Sequence, residues 1–330
     1  MRCMRLVLET SVVATLIGAV ATAGLGAAQA QTWPQRPVRI VVPFAAGGPS
    51  DSMARVTAQH LGDVLGQPFV IENQAGAGGA LAGEVVVRAA ADGYTLYWVT
   101  PGQVTILPAI SKLSYDPVKN LLPISAVAEN QFALVVNPKS LSVNTIGEFI
   151  DRVRAQPGKF SYAHAGAGTI THLAMELFSR RSGLQMIGVT YKGIAPAFTD
   201  VIAGHVPTMF ASLADAVQQD KRGTIRLLAV STQARVNRIP AVPTVREAGV
   251  PGFHIVSWNG LMAPSGTPVA IIERVANEIA RAVKTPPFAE RLTGLGFEPI
   301  GSRPEEFAAA ISAEIPMWME AVKSAGLNPH

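Results

Sequence analysis

The sequence predicts an α/β fold built as two lobes with a cleft between them. Three observations point there. Short apolar runs alternate with amphipathic stretches of helical period along most of the chain. A strand, glycine-rich turn and helix occur together twice, at 41–51 and again at 162–172. Both turns stand at the carboxyl end of a strand, where open α/β sheets bind their ligands.

The elements follow in order. Val38-Arg39-Ile40-Val41-Val42 reads as a strand, and Ser50 as the N-cap of the next helix. Met53, Val56, His60, Leu61, Val64 and Leu65 share one face of that helix, and Gly66 ends it. Phe69-Val70-Ile71 is a second strand, a turn at 76–79 opens a helix to Ala90, and Asp92-Gly93 leads into the strand 94–99. The unit then restarts. A strand at 133–136, a helix at 146–155, a strand ending near Ala163 and a helix at 171–181 come first. A strand at 187–189, a helix to Ala203 and strands at 208–210 and 226–230 complete it. Pro240, Pro243 and Pro251 mark 237–253 as an irregular return crossing, after which 269–284, 288–295 and 304–324 read as helices.

Residues 1–30 read as a secretory signal. Arg2 and Arg5 give a basic start, an apolar small-residue run spans 11–28, and Ala28-Gln29-Ala30 fits cleavage after Ala30. Gly18, Gly24 and Gly26 speak against a retained anchor. Loss of Arg2, Arg5 and Glu9 takes the formal charge from +4 to +3. The single cysteine, Cys3, leaves with the signal, so disulfides, thiolate metal sites and cysteine nucleophiles are excluded from the mature chain. Arg180-Arg181 and Lys221-Arg222 are isolated pairs that suit solvated helix ends, so no nucleic-acid partner is expected.

Each turn would aim backbone N–H groups and a helix N-terminus at one point, which makes an anion site. Taken singly, either is also an ordinary tight loop; as a pair they suggest two half-sites closing on one anion. Gly47, Gly48, Gly166 and Gly168 would let backbone approach the anion and adopt positive φ. Neither turn matches G-x-G-x-x-G or carries a Walker lysine, and no G-x-S-x-G elbow is present. These absences disfavour a dehydrogenase and a secreted hydrolase, so no catalytic residue and no cofactor are expected. His164 and His172 lack metal-binding spacing, and no metal is expected. His172 is either a packed imidazole or a donor to a ligand carboxylate. Asp51 suits a first-turn helix charge pointing aside and bonding nearby backbone N–H groups. Lys192 suits a solvated lysine better than an attractor of acidic ligands at the cleft rim, and Trp258 and Trp318 suit packing.

At these motifs the chain resembles the periplasmic solute receptors of tripartite tricarboxylate transporters, the Bug or TctC family. The resemblance runs from Trp33-Pro34 to the C-terminus. It rests on Pro43-Phe44-Ala45-Ala46-Gly47-Gly48 with Asp51, Glu72-Asn73-Gln74-Ala75-Gly76-Ala77-Gly78-Gly79, and Ala91-Asp92-Gly93-Tyr94-Thr95-Leu96. Tyr115-Asp116-Pro117-Val118-Lys119, Tyr191-Lys192-Gly193, Val242-Pro243-Thr244-Val245-Arg246-Glu247-Ala248-Gly249 and Ala263-Pro264-Ser265-Gly266-Thr267-Pro268 continue it.

The resemblance implies a type II-like periplasmic binding protein, two α/β domains joined by a two-segment hinge. Lobe one would comprise 33–130 plus 251–330, and lobe two 131–250. It implies a small carboxylate as ligand, the membrane subunits of a tripartite transporter as partners, a monomer, and residence in the periplasm. A sensor feeding a membrane kinase would need the same lobes. The implied ligand contacts are Phe44, Ala45, Gly47, Gly48, Ser50 and Asp51 on one side. Ala165, Gly166, Gly168, Thr169 and His172 form the other, with Thr100 at a strand end and Ser212 beside them. Phe210-Ala211-Ser212 stands where many members have Phe-Asp-Asn, and His164 replaces a small residue. Trp98 and Pro101 add bulk beside Thr100. With methyl at Ala211, the pocket is expected to lack a partner for an ammonium group.

Overall fold

A computed structural model describes residues 33–191 and 193–327. The signal segment, its cleavage point, Cys3 and Lys192 lie outside the described residues. Residues 1–35 and 36–330 form separate units; the second carries every element below.

Its first half begins with β1 (Val38–Val42), α1 (Pro49–Leu65), β2 (Phe69–Asn73), α2 (Ala80–Val87) and β3 (Thr95–Val99). β1 lies parallel between β2 and β3, with Ile40 opposite both Ile71 and Leu96. All of β1 except Arg39 is buried, because helices cover both faces of such a sheet. A wide turn at Gly102–Ile106 and two short helices, α3 (Leu107–Ile110) and α4 (Pro117–Asn120), lead into β4 (Leu121–Val136).

The second half runs α5 (Ile146–Arg154), β5 (Ser161–His164), α6 (Ile170–Ser182), β6 (Ile187–Thr190), α7 (Ile194–Ala203), β7 (Thr208–Ser212), α8 (Leu213–Lys221) and β8 (Arg226–Val230). The chain returns through β9 (Val256–Pro264), α9 (Val269–Ala282), α10 (Pro286–Gly294), β10 (Glu298–Pro299) and α11 (Pro304–Ser324). No helix of the described residues is long and apolar enough to cross a membrane.

β4 joins the two halves. The sequence pattern predicts only its last four residues as a strand, yet it runs for 16. From Leu121 to Gln131 it pairs antiparallel with β9; from Phe132 onward it pairs with β7 and β8. β9 falls just after the irregular crossing, where the sequence pattern assigns no element, because Trp258-Asn259-Gly260 breaks any alternation. Gly260 is required there. A Cβ would lie 2.7 Å from both the Phe307 ring and the Ser125 carbonyl.

Each half has its own core. Phe178 of α6, Phe210 of β7 and Phe253 pack together in the second half, with ring centroids 5.5–6.1 Å apart. Trp318 of α11 is fully buried in that same core. Trp258 is also buried and packs edge-on against Phe307, 4.9 Å between centroids. Both tryptophans therefore serve packing. Arg181 is no free helix end: it reaches Glu320 of α11 at 2.7 Å. α11 thus straps the second half to the first.

Candidate functional site

The first glycine turn connects β1 to α1. Gly48, not Ser50, is the N-cap, and Pro49 takes the first helical position. Proline fits there because that position needs no N–H and its φ is already helical. Ser50 is thereby moved inside the helix. Its hydroxyl donates to Asn259 Oδ1 at 2.5 Å, and the Trp98 indole donates to Ser50 Oγ at 3.0 Å. The N–H groups of Ser50 and Asp51 lie in the first turn and have no intrahelical acceptor.

Asp51 is 1% exposed and braces the turn from behind. Its Oδ2 accepts the Gly47 N–H and Arg55 Nε, each at 2.9 Å. Its Oδ1 accepts Asn73 Nδ2 at 2.8 Å and Arg55 Nη2 at 3.1 Å. Burial pushes the carboxyl up, but the bonds from Arg55, Gly47 and Asn73 outweigh it, and its pKa is lowered. The charge therefore stays on, matched inside the turn. Gly47 has φ +88°, whereas Gly48 has an ordinary extended φ of −77°, so the expected positive φ at Gly48 is corrected.

The second turn connects β5 to α6, with Thr169 at the N-cap and positive φ at Gly166 and Gly168. Thr169 makes no side-chain cap; its hydroxyl donates to the Gly166 carbonyl at 2.7 Å. The Ala165 N–H donates to Thr171 Oγ1 at 3.0 Å. Two histidines support the turn from beneath. The Gly166 N–H donates to His164 Nδ1 at 3.3 Å, and the Gly168 N–H to His172 Nδ1 at 3.2 Å. The rings stack with centroids 4.3 Å apart. A nitrogen that accepts an N–H carries no proton, so both imidazoles are neutral here. Burial and the neighbouring His164 lower the His172 pKa to about 4. Burial likewise lowers that of His164. Tyr162 donates its hydroxyl to Glu176 on α6, and His172 Nε2 lies 4.0 Å from the same carboxylate.

The two turns face one cavity of about 570 Å³, within the range of small-molecule sites. Phe44, Gly48, Ser50, Asp51 and Thr100 line it from one half, and Gly168 and Thr169 from the other. Ala45, Gly47, Ala165, Gly166, His172 and Ser212 are not on its wall. Gly47, Ala165 and Gly166 have their N–H groups engaged within the turns, and Ser212 donates to Asn130 Oδ1 at 3.2 Å. Ala211 is fully buried among Ala133, Val135 and Met209, so the expectation that it shapes the pocket is corrected. Its side chain belongs to the core because the strand alternates faces and Ser212 takes the other.

Several wall residues carry no sequence signal. Gln103 lies in the wide turn; its Oε1 accepts the Thr100 N–H at 3.0 Å and the Thr100 hydroxyl at 2.8 Å. Asn259 comes from the unrecognised β9. Ile106, Leu107, Ile110, Ile170 and Phe297 supply an apolar flank. Among the described residues no cluster of three His, Cys, Asp or Glu side chains is placed to hold a metal ion.

Comparison with known proteins places this geometry in context. Residues 53–327 match the family described as tripartite tricarboxylate transporter family receptor, TctC. Protein BugT of Bordetella pertussis is 35% identical over 313 residues, covering 93% of this chain and 95% of BugT. Among solved structures, R. palustris Rpa4515 with adipate is 35% identical at a TM-score of 0.74, covering 91% of this chain and all of that one. MatC of Rhodopseudomonas palustris with bound malate is 34% identical at a TM-score of 0.69, covering 88% of this chain and all of that one.

Proposed function

This chain belongs to the TctC family of tripartite tricarboxylate transporter receptors, and on that premise we propose that it is an exported receptor that captures a small carboxylate and passes it to the membrane subunits of such a transporter. The observation that carries the reading is the convergence of α1 and α6 on one cavity. The N-terminus of each helix brings unmatched N–H groups and a partial positive charge to the wall. Adipate and malate in the two similar structures support a carboxylate ligand.

The lobes are proposed to meet where β4 changes partners, between Gln131 and Phe132, and on the return near Pro251. Closure brings Gly168 and Thr169 toward Gly48 and Ser50, so each lobe supplies half of the donors. Ligand then shifts the population toward the closed form. The mature chain binds without chemical turnover, since the wall offers no nucleophile paired with a base.

Calorimetry with a panel of carboxylic acids on the periplasmic, processed protein tests this. A saturable heat with acids, absent with the corresponding amides, and recovery of unchanged ligand are expected. Protein-dependent conversion of the ligand, or no binding by any acid, would overturn the reading.

A further inference from the structure

One face of the β4–β9 ladder belongs to the cavity wall, and the side chains it presents are polar. Asn130 of β4 stands directly opposite Ser257 of β9, and Asn259 lies two residues further along β9 on the same face. All three line the cavity. Glu129 and Gln131, the chain neighbours of Asn130, line a separate pocket instead, as the alternation of a strand requires. Ser50, in the first turn of α1, bonds Asn259, so the row begins beside the first glycine turn. Residues two apart on a strand are separated by about 7 Å, which sets the Asn130–Ser257 pair that much further along.

The row holds donors that the protein does not use. Asn259 is buried, and its Oδ1 accepts the Ser50 hydroxyl at 2.5 Å and the Trp98 indole N–H at 3.3 Å. An indole nitrogen only donates, so the amide must keep its oxygen on that side. Asn259 Nδ2 is left with the Ser257 carbonyl alone, at 3.5 Å, the outer limit of a hydrogen bond. Asn130 Oδ1 accepts the Ser212 hydroxyl at 3.2 Å, and among the described residues Asn130 Nδ2 has no partner. The Ser257 hydroxyl has none among them either. Donors withdrawn from bulk water without an acceptor are costly, and a ligand oxygen that reaches them removes the cost.

Resting on the receptor reading above, we infer that Asn130, Ser257 and Asn259 form a second subsite, which selects carboxylic acids carrying a second oxygen acceptor over acids that end in hydrocarbon. The first carboxylate lies at the turns, and the second acceptor receives N–H and O–H groups from the row. The three side chains are uncharged, so they read that oxygen by hydrogen bonds, and a carboxamide oxygen is taken as well as a carboxylate. A site built to hydrogen-bond a group rejects the analogue that lacks it, because its own polar atoms then stay unpaired.

Calorimetry of the processed protein compares butanoate, pentanoate and hexanoate with succinate, glutarate and adipate and with the half-amides of those three. At the length where the dicarboxylate binds tightest, it is expected to exceed the monocarboxylate by at least about tenfold, with the half-amide also above the monocarboxylate. Asn130→Asp keeps the shape of the side chain and replaces its N–H groups with oxygen. It is expected to bring the dicarboxylate-to-monocarboxylate ratio to about one or below, while the monocarboxylate stays within about threefold of its parent affinity. A merely structural role would weaken all the acids alike. Ser257→Ala leaves the ladder intact and is expected to lower the ratio about threefold, which keeps the test decisive should Asn130→Asp fail to fold. A monocarboxylate equal to or tighter than its dicarboxylate at every length, or a ratio unchanged in the folded variants, would overturn this inference and leave the carboxylate receptor standing. Binding of none of the acids would remove the receptor reading and this inference with it.

Discussion

The Asp51 carboxylate holds the Gly47 N–H at 2.9 Å from the buried side of the first turn. The same carboxylate binds Arg55 and Asn73, so one side chain couples the turn, the first helix and the second strand. The acid that sits nearest the anion site is therefore part of its frame.

Replacing Asp51 with alanine removes the acceptor of the Gly47 N–H and leaves Asn73 Nδ2 with the Phe44 carbonyl alone, 3.0 Å away. Gly47 is exposed and its N–H can turn to water, so the expected cost is about 1 kcal/mol. Urea unfolding should report that loss, and calorimetry should report weaker ligand binding. Unchanged stability would mean that the turn holds itself.

Gly48→Val is the cleanest block of the site. Gly48 has φ −77°, and an added Cβ would meet only the Ala45 carbonyl, at 4.0 Å. Stability should stay within about 0.5 kcal/mol of the parent, while carboxylate affinity falls by at least about tenfold. Gly168→Val is a poorer probe. Gly168 has φ +74°, a backbone conformation that valine rarely adopts, and the new Cβ would only touch Ile110, at 3.5 Å. That variant should lose stability along with binding, which circular dichroism against temperature would reveal.

Thr169→Ala removes the hydroxyl that ties the second turn to the Gly166 carbonyl at 2.7 Å. The turn then holds its shape less firmly. A loss of ~1 kcal/mol, about fivefold in ligand affinity, is expected. An affinity equal to the parent's would show that the turn is set by backbone alone.

Two buried groups should give the stability curve opposing slopes. His172 titrates at about 4 in the fold against 6.5 unperturbed, so the unfolded chain binds the extra proton first. Its contribution is present above pH 6.5 and is lost as pH falls through 4. Glu314 behaves oppositely. Burial raises it to about 7 from 4.5, against the indole N–H bonds of Trp258 and Trp318 and with Glu129 adding to the rise. Its contribution is present below pH 4.5 and is lost as pH rises through 7. Between pH 4.5 and 6.5 the two contributions oppose each other, so in denaturant melts His172→Phe should leave stability falling as pH rises and Glu314→Gln should leave it rising. Tryptophan emission should also change near pH 7 in the parent and not in Glu314→Gln. An emission profile shared by both proteins would contradict the assignment.

The sequence announces what is periodic and local. Val38–Val42 and the helix after it follow from an apolar run, a proline and glycines at both ends of the helix. The second turn is equally plain, because Gly166 and Gly168 precede a helical pattern. The near half of the site was therefore legible. The far half was not. Asn259 sits on a strand whose Gly260 reads as a breaker until Phe307 is seen lying against it. Gln103 acts through a fold of the chain that brings it under Gly78 and Thr100, which no spacing announces. The start of α1 shows the remaining gap. Ser50 and Gly48 are both acceptable caps, and Pro49 decides between them only through the geometry of the first turn.

The shared strand has a consequence for how the molecule is made. The stretch of β4 from Leu121 to Gln131 finds its partners in β9 and β10, more than a hundred residues later in the chain. Until those partners emerge from the ribosome, the central ladder cannot form, whatever the state of the segments between. Pairings of such long separation fold slowly. The late arrival of β9 thus acts as a built-in delay: the topology keeps the centre of the sheet open until the chain has been synthesised into its last quarter.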